Sequence, residues 1–119
     1  MKNYNGYEVL LFIKTMMAQE RVNQVALIDV NYAYKYGILC EKAMVDDSYS
    51  RSVDRNEILS LLEELDKGEF QVLVVEDIYD ITYNPEDLRN MIDRINEMKI
   101  IIFDLSIMNV RTNNYDEEC

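Results

Sequence analysis

The sequence predicts an α/β domain of three layers, with helices on both faces of a mostly parallel sheet of about four strands. Short apolar runs rich in β-branched residues alternate with longer segments of helical periodicity. Cap and turn residues fall between them at regular spacing. The 119 residues contain only one proline and three glycines, so no linker or disordered stretch is expected and 1–119 reads as a single domain.

Each element has its own warrant. Glu8 to Thr15 is short and mostly apolar, as suits a strand buried on both faces. From Ala18 to Tyr36 the residues Val22, Ala26, Ile28 and Ala33 recur at helical spacing, and Gly37 stands where a C-cap belongs. Ile38 to Val45 is a second strand, less hydrophobic, and Asp46 to Asp54 a polar loop. Asp54 is the expected N-cap of a helix through Leu65, closed by Lys67 and Gly68. Phe70 to Val75 has the composition of a central strand. After a loop over 76–83, Asn84 caps a helix with Pro85 at its first position, Glu86 and Asp87 in its first turn, and Leu88, Met91, Ile92 and Ile95 on one face. Lys99 to Leu105 supplies the fourth strand, and 106–119 is a polar, acidic tail expected to fray.

The charge narrows the function. Twenty-three acidic residues against 12 basic ones give a formal net charge of −11. A surface this negative repels phosphate backbones, so DNA binding by the chain alone is disfavoured. There is no histidine, which removes the commonest general base, the Ser/His and Cys/His nucleophile pairs and the commonest zinc ligand. Cys40 and Cys119 are too far apart in sequence for a metal-type pair and read as free thiols suited to a reducing cytoplasm, Cys40 buried and Cys119 in the tail. The apolar run Val9 to Ile13 is too short to span a membrane and lacks the marks of a signal peptide. A soluble cytoplasmic protein without a cofactor is expected.

The stretch from Val45 to Arg55, with Asp46-Asp47-Ser48-Tyr49-Ser50 and Asp54-Arg55, resembles the "DDGYSG…DR" segment of the resolvase/invertase family, the serine site-specific recombinases. Val74 to Leu88 is similar to that family's "VVKDLDRLSRNPEDL" segment, Ile58 to Gly68 to its "LL…G" helix, and Tyr32 to Gly37 to its "YA…G" helix end. Leu11 to Met16 takes the place of a first strand ending in "Y-x-R-x-S". In order and at matching spacing these segments cover about 7–112, and they imply the recombinase catalytic-domain fold.

The resemblance also implies a degenerate site. In that family a serine attacks a DNA phosphate, and arginines surround the phosphate because a guanidinium offers fixed charge and paired donors. Here the nucleophile position is Met16, which has no proton to lose, and the neighbouring arginine position is Lys14. The two arginines of "DRLSR" correspond to Asp80 and Tyr83, and the aspartate before the first of them to Tyr79. Only Arg55 is retained. The family's long C-terminal helix and DNA-binding region are not expected, because the sequence ends at Cys119. The resemblance thus implies a homologue without strand cleavage, acting if at all through contacts with an intact recombinase, itself or another protein.

Two other readings are residual recombination-associated work beside an intact recombinase partner, and a metal-dependent phosphotransfer or nucleotide-binding domain. The latter would use Glu76, Asp77 and Asp80, oxygen ligands at the carboxyl end of a strand, although acids on such loops are more often solvated caps. Ser48, Tyr49, Ser50 and Ser52 are better suited to turn chemistry than to a replacement nucleophile. Tyr32 and Tyr36, four apart, are expected to pack on the sheet edge, and Met16 and Met17 to fill the emptied pocket.

Overall fold

The computed structural model describes residues 7–15 and 19–107. Met16, Met17, Cys119 and all of 108–119 lie outside them, so the expectations made for these residues are not addressed. The elements in chain order are β1 (Val9–Lys14), α1 (Gln19–Tyr34), β2 (Lys42–Asp46), α2 (Asn56–Asp66), β3 (Val72–Val75), a 3-10 turn (Ile78–Asp80), α3 (Pro85–Glu97) and β4 (Ile101–Asp104). The four strands form one parallel sheet in the order β2-β1-β3-β4.

The alternation of side chains along the strands builds the three layers. Val9, Leu11 and Ile13 of β1 join Val72 and Val74 of β3 against Ala33 and the half-buried Ala26 and Val30 of α1. Leu10, Phe12, Leu73 and Val75 face the other way, onto Ile58, Leu61 and Leu65 of α2 and Leu88, Met91 and Ile95 of α3. Val9 to Ile13 are at most 1% exposed, because β1 has a neighbour on each edge and helices on each face. Its all-apolar sequence follows from that position.

Several boundaries move, each for a physical reason. β2 starts at Lys42 rather than Ile38. The amide of Ile38 bonds to the Ala33 carbonyl and closes α1, with Gly37 at φ 77° as the left-handed cap residue. The N-cap of α2 is Arg55, not Asp54. Arg55 is held extended, and its carbonyl receives the amides of Ile58 and Leu59. Part of the expected loop 76–83 is the 3-10 turn. Leu105 leaves the strand for a helical turn over 105–107, where Asp104 Oδ1 accepts from the Ser106 amide and hydroxyl. Asn84 does cap α3, accepting from the amides of Glu86 and Asp87, with Pro85 at the first position. On α1 the inward stripe is offset from expectation: Ile28 is 64% exposed and Asp29 is 8% exposed.

Tyr36 packs between Tyr32 and Phe103 of β4, with ring centroids 5.7 and 6.1 Å away, so this pair does brace a sheet edge. No helix among the described residues is long and apolar enough to cross a membrane.

Candidate functional site

The strand order fixes where a site belongs. From β1 the chain runs outward to β2, then returns across to β3 on the other side of β1. The carboxyl ends of β1 and β3 therefore flank a topological switch point, the usual ligand crevice of an open α/β sheet. Lys14 ends β1, Asp46 ends β2, Glu76 follows β3 and Asp104 ends β4. The chain thus places its charged residues at this edge, in two groups on opposite faces of the sheet.

On the face of α2 and α3 the centre is Asp46, whose side chain is 0% exposed. Its Oδ1 accepts from the Ser48 amide at 3.0 Å and hydroxyl at 2.7 Å. Its Oδ2 accepts from Lys14 Nζ at 3.2 Å and Arg55 Nε at 2.8 Å. Burial opposes ionisation, but the Ser48 and Lys14 bonds and the charge of Arg55 outweigh it and hold the carboxyl below its ordinary value.

The two cations are spent inside the protein. Lys14 Nζ also donates to the carbonyls of Ser48 at 2.6 Å and Ser50 at 2.9 Å, which uses its three protons. Arg55 donates to the carbonyls of Ser52 at 2.9 Å, Ile81 at 2.7 Å and Asp80 at 2.8 Å. With the bond to Asp46, four of its five N–H groups are engaged. The side chains of Lys14 and Arg55 are 7% and 3% exposed. Arg51 repeats the theme from the same loop: it donates to the Tyr79 carbonyl at 2.9 Å and stacks 4.1 Å from the centre of the Tyr83 ring. Arg55 and Arg51 staple the β2–α2 loop to the 3-10 segment, Lys14 ties the same loop to β1, and neither Lys14 nor Arg55 is open to solvent.

On the opposite face, toward α1, the charges are acidic. Glu76 extends the side of β3 that carries Val72 and Val74, and it hydrogen-bonds with Asp29 of α1. Burial, then the charge and hydrogen bond of Asp29, push Glu76 up to about 7. Burial raises Asp29 to about 6, against the lowering effect of its bond to Glu76 and with the charge of Asp80. Asp80 rises to about 6 through burial and the charges of Glu76 and Asp77, with Arg51 opposing. Cys40, half-buried and free, is pushed up to about 11 by burial and then by Asp29.

The structure brings Lys14 and Arg55 together on Asp46, and the Asp80 carbonyl accepts from Arg55 while its carboxyl feels the charge of Glu76. Tyr83 is 62% exposed and lies on Arg51. Met16 is not among the described residues. Asp77 caps the 3-10 turn by accepting from the Tyr79 amide, and Asp104 Oδ2 accepts from the Ile78 amide, so both acids have structural work. Among the described residues no three Cys, Asp or Glu side chains are placed to hold a metal ion. The loop serines make turns: Ser50 and Ser52 hydroxyls accept from the amides of Ser52 and Asp54. Sequence reasoning missed Asp29 and the hub role of Asp46. Asp29 was legible, since it stands three residues after Ala26 and four before Ala33 on the apolar stripe.

Solved structures share this architecture. The chain aligns with the N-terminal catalytic domain of TP901-1 integrase at TM-score 0.67 and 13% identity, over 93% of this chain and 97% of that one. It aligns with the C-terminal catalytic domain of ISC1926 TnpA, an IS607-like serine recombinase, at TM-score 0.69 and 13% identity, over 82% of this chain and 68% of that one. No family model matches the sequence, and no curated protein matches it significantly. The fold is that of serine recombinase catalytic domains, as the sequence resemblance implied.

Proposed function

We propose, from this shared fold, that the chain is a recombinase-type domain without strand cleavage, working through contacts with other proteins. The observation that carries the reading is the closed Lys14–Asp46–Arg55 lock. Phosphoryl transfer needs donors aimed at oxygens that gain charge, held ready before the reaction. Here the retained cations donate to one buried carboxylate and to backbone carbonyls. The next family position offers Asp80, whose charge opposes a phosphate. The surplus of acids across the whole chain also weakens any hold on DNA.

Two experiments test this. Incubation with supercoiled plasmid and with duplex oligonucleotides, followed by denaturing gels, is expected to show no relaxation and no covalent protein–DNA adduct. An adduct would overturn the loss of cleavage. Affinity purification of the tagged chain at native expression is expected to recover a specific protein partner. Recovery of a full-length serine recombinase would make this chain a subunit or decoy of that enzyme, and recovery of the bait alone would overturn the protein-contact reading.

A further inference from the structure

One flank of α3 carries Pro85, Arg89, Ile92 and Asn96, whose spacing of four, three and four aligns them in a single stripe. A hollow opens toward each end of it. The first, of about 310 Å³, is bordered by Tyr79, Pro85, Arg89 and Asp93. The second, of about 490 Å³, lies between Asn96 and the β4 residues Ile101 and Ile102, with Ile107 also lining it. Ile92 lines both hollows, and Tyr79 and Ile107 are 51% and 50% exposed. Apolar side chains gathered in this way on one face mark a contact surface.

The charges on this flank indicate what it meets. Arg89 and Asp93 are exposed and stand about one turn apart. Among the described residues, neither makes an ion pair or a side-chain hydrogen bond. A base four residues before an acid is the weaker order for pairing within one helix. Across a twofold axis the same order becomes complementary, because an antiparallel copy sets Arg89 of each chain beside Asp93 of the other. The carboxylate of Asp104, in the second hollow, is already occupied by the amides of Ile78 and Ser106 and the Ser106 hydroxyl. A basic partner would be repelled by Arg89 and an acidic one by Asp93, whereas a second copy answers both.

We propose that this flank joins two copies of the chain, their α3 helices antiparallel about a twofold axis level with Met91. The two Ile92 side chains then meet near the centre, and Arg89 and Asp93 pair twice. The Tyr79 end of each copy lies over the Ile101 and Ile102 hollow of the other. Packed helices approach to about 8–10 Å between axes, a separation these side chains span. Two unlike hollows at the ends of one stripe suit this arrangement, since each end meets the opposite end of its partner. The assembly goes beyond the contact reading above and is independent of it, because no other protein takes part.

Sedimentation velocity of the purified full chain over roughly 1–100 µM, at near-physiological ionic strength, tests the assembly. The wild type is expected to shift from monomer to dimer across that range. Ile92→Glu places a charge at the centre of the contact and is expected to weaken dimerisation at least about tenfold. R89D and D93R each set like charges face to face and are expected to weaken it similarly. Mixed in equal amounts, R89D and D93R are expected to form a heterodimer, since every facing pair is then opposite in sign. The double variant R89D/D93R is expected to self-associate again. Leu27→Glu, on a residue of α1 that is 61% exposed, is expected to leave the dimer intact. A wild type that stays monomeric overturns the proposal. So does a dimer that survives the single charge changes, that mixing fails to restore, or that L27E breaks. Should I92E fail to melt as a folded protein, the exposed charge changes carry the test. A monomeric chain that still captures a protein from lysate would strike the dimer and leave the contact reading standing.

Discussion

Asp46 sets the character of the site at the scale of single residues. One carboxylate takes four donors, two of them from buried cations, and removing it leaves both charges unpaired in the interior. Asp46→Ala is expected to destabilise the fold by about 3–5 kcal/mol in urea unfolding, whereas Asp47→Ala, on the exposed neighbour, stays within about 0.5 kcal/mol. The acids on the other face give the opposite pH response. Asp29, Glu76 and Asp80 bind their protons more tightly when folded, at about 6, 7 and 6 against ordinary values of 3.8, 4.5 and 3.8. Their contribution to stability is complete below about pH 4 and is lost as pH rises through about 6–7. The melting temperature is expected to fall between about pH 5 and about pH 8, and D29N/E76Q to flatten that fall; a rise over the same range would contradict the assignment. Asp46 has the reverse sign, its contribution disappearing only as pH drops below the ordinary carboxylate range. The sequence carried the identity of these residues but not their pairing, because contacts such as Arg55 with the Ile81 carbonyl join segments that no local pattern links.

Among the elements, the ends of α1 and α3 use the same closing device with different residues. After α1 the amide of Ile38 returns to the Ala33 carbonyl with Gly37 at φ 77°; after α3 the amide of Ile100 returns to the Ile95 carbonyl with Lys99 at φ 65°. The left-handed conformation costs a side chain that a glycine does not carry. Lys99→Gly is therefore expected to stabilise by about 1 kcal/mol, read as a higher urea midpoint at unchanged slope. At the other end of α3, Asn84→Ala removes an oxygen that two amides share and is expected to cost about 1 kcal/mol. The α3 signals were legible because Asn-Pro-Glu-Asp states the cap, the first turn and the dipole preference together. The start of α2 was not, since Arg55 owes its capping position to buried long-range bonds while Asp54 offered the better local chemistry. On α1 a one-residue offset misplaced the inward face: Leu27 and Ile28 are both exposed, and an acid occupies the apolar stripe. Helical pattern reading fails where a buried polar group interrupts it.

For the whole molecule, the alternation of apolar runs and periodic segments conveyed the architecture well, because each layer needs its own period of burial. Site chemistry was legible mainly as substitution of charge, with Asp80 and Tyr83 where arginines were expected. The same surplus of acid predicts a global response. Raising salt from about 0.01 M to about 0.15 M shortens the screening length from about 30 Å to about 8 Å and should raise the melting temperature by relieving self-repulsion. A decrease would mean that exposed pairs such as Lys42 and Lys67 with Glu64 dominate instead. The central position of β1 has a further consequence, for biosynthesis. β1 leaves the ribosome before the other three strands of the described sheet, yet one of its partners is β2 and the other is β3, which ends only at Val75. Until then, Val9 to Ile13 is a nascent segment of five consecutive apolar residues with one edge unclaimed, the kind of stretch that chaperones grip and that aggregates when translation stalls. A pause placed after β2 should thus lower soluble yield more than one placed after β3.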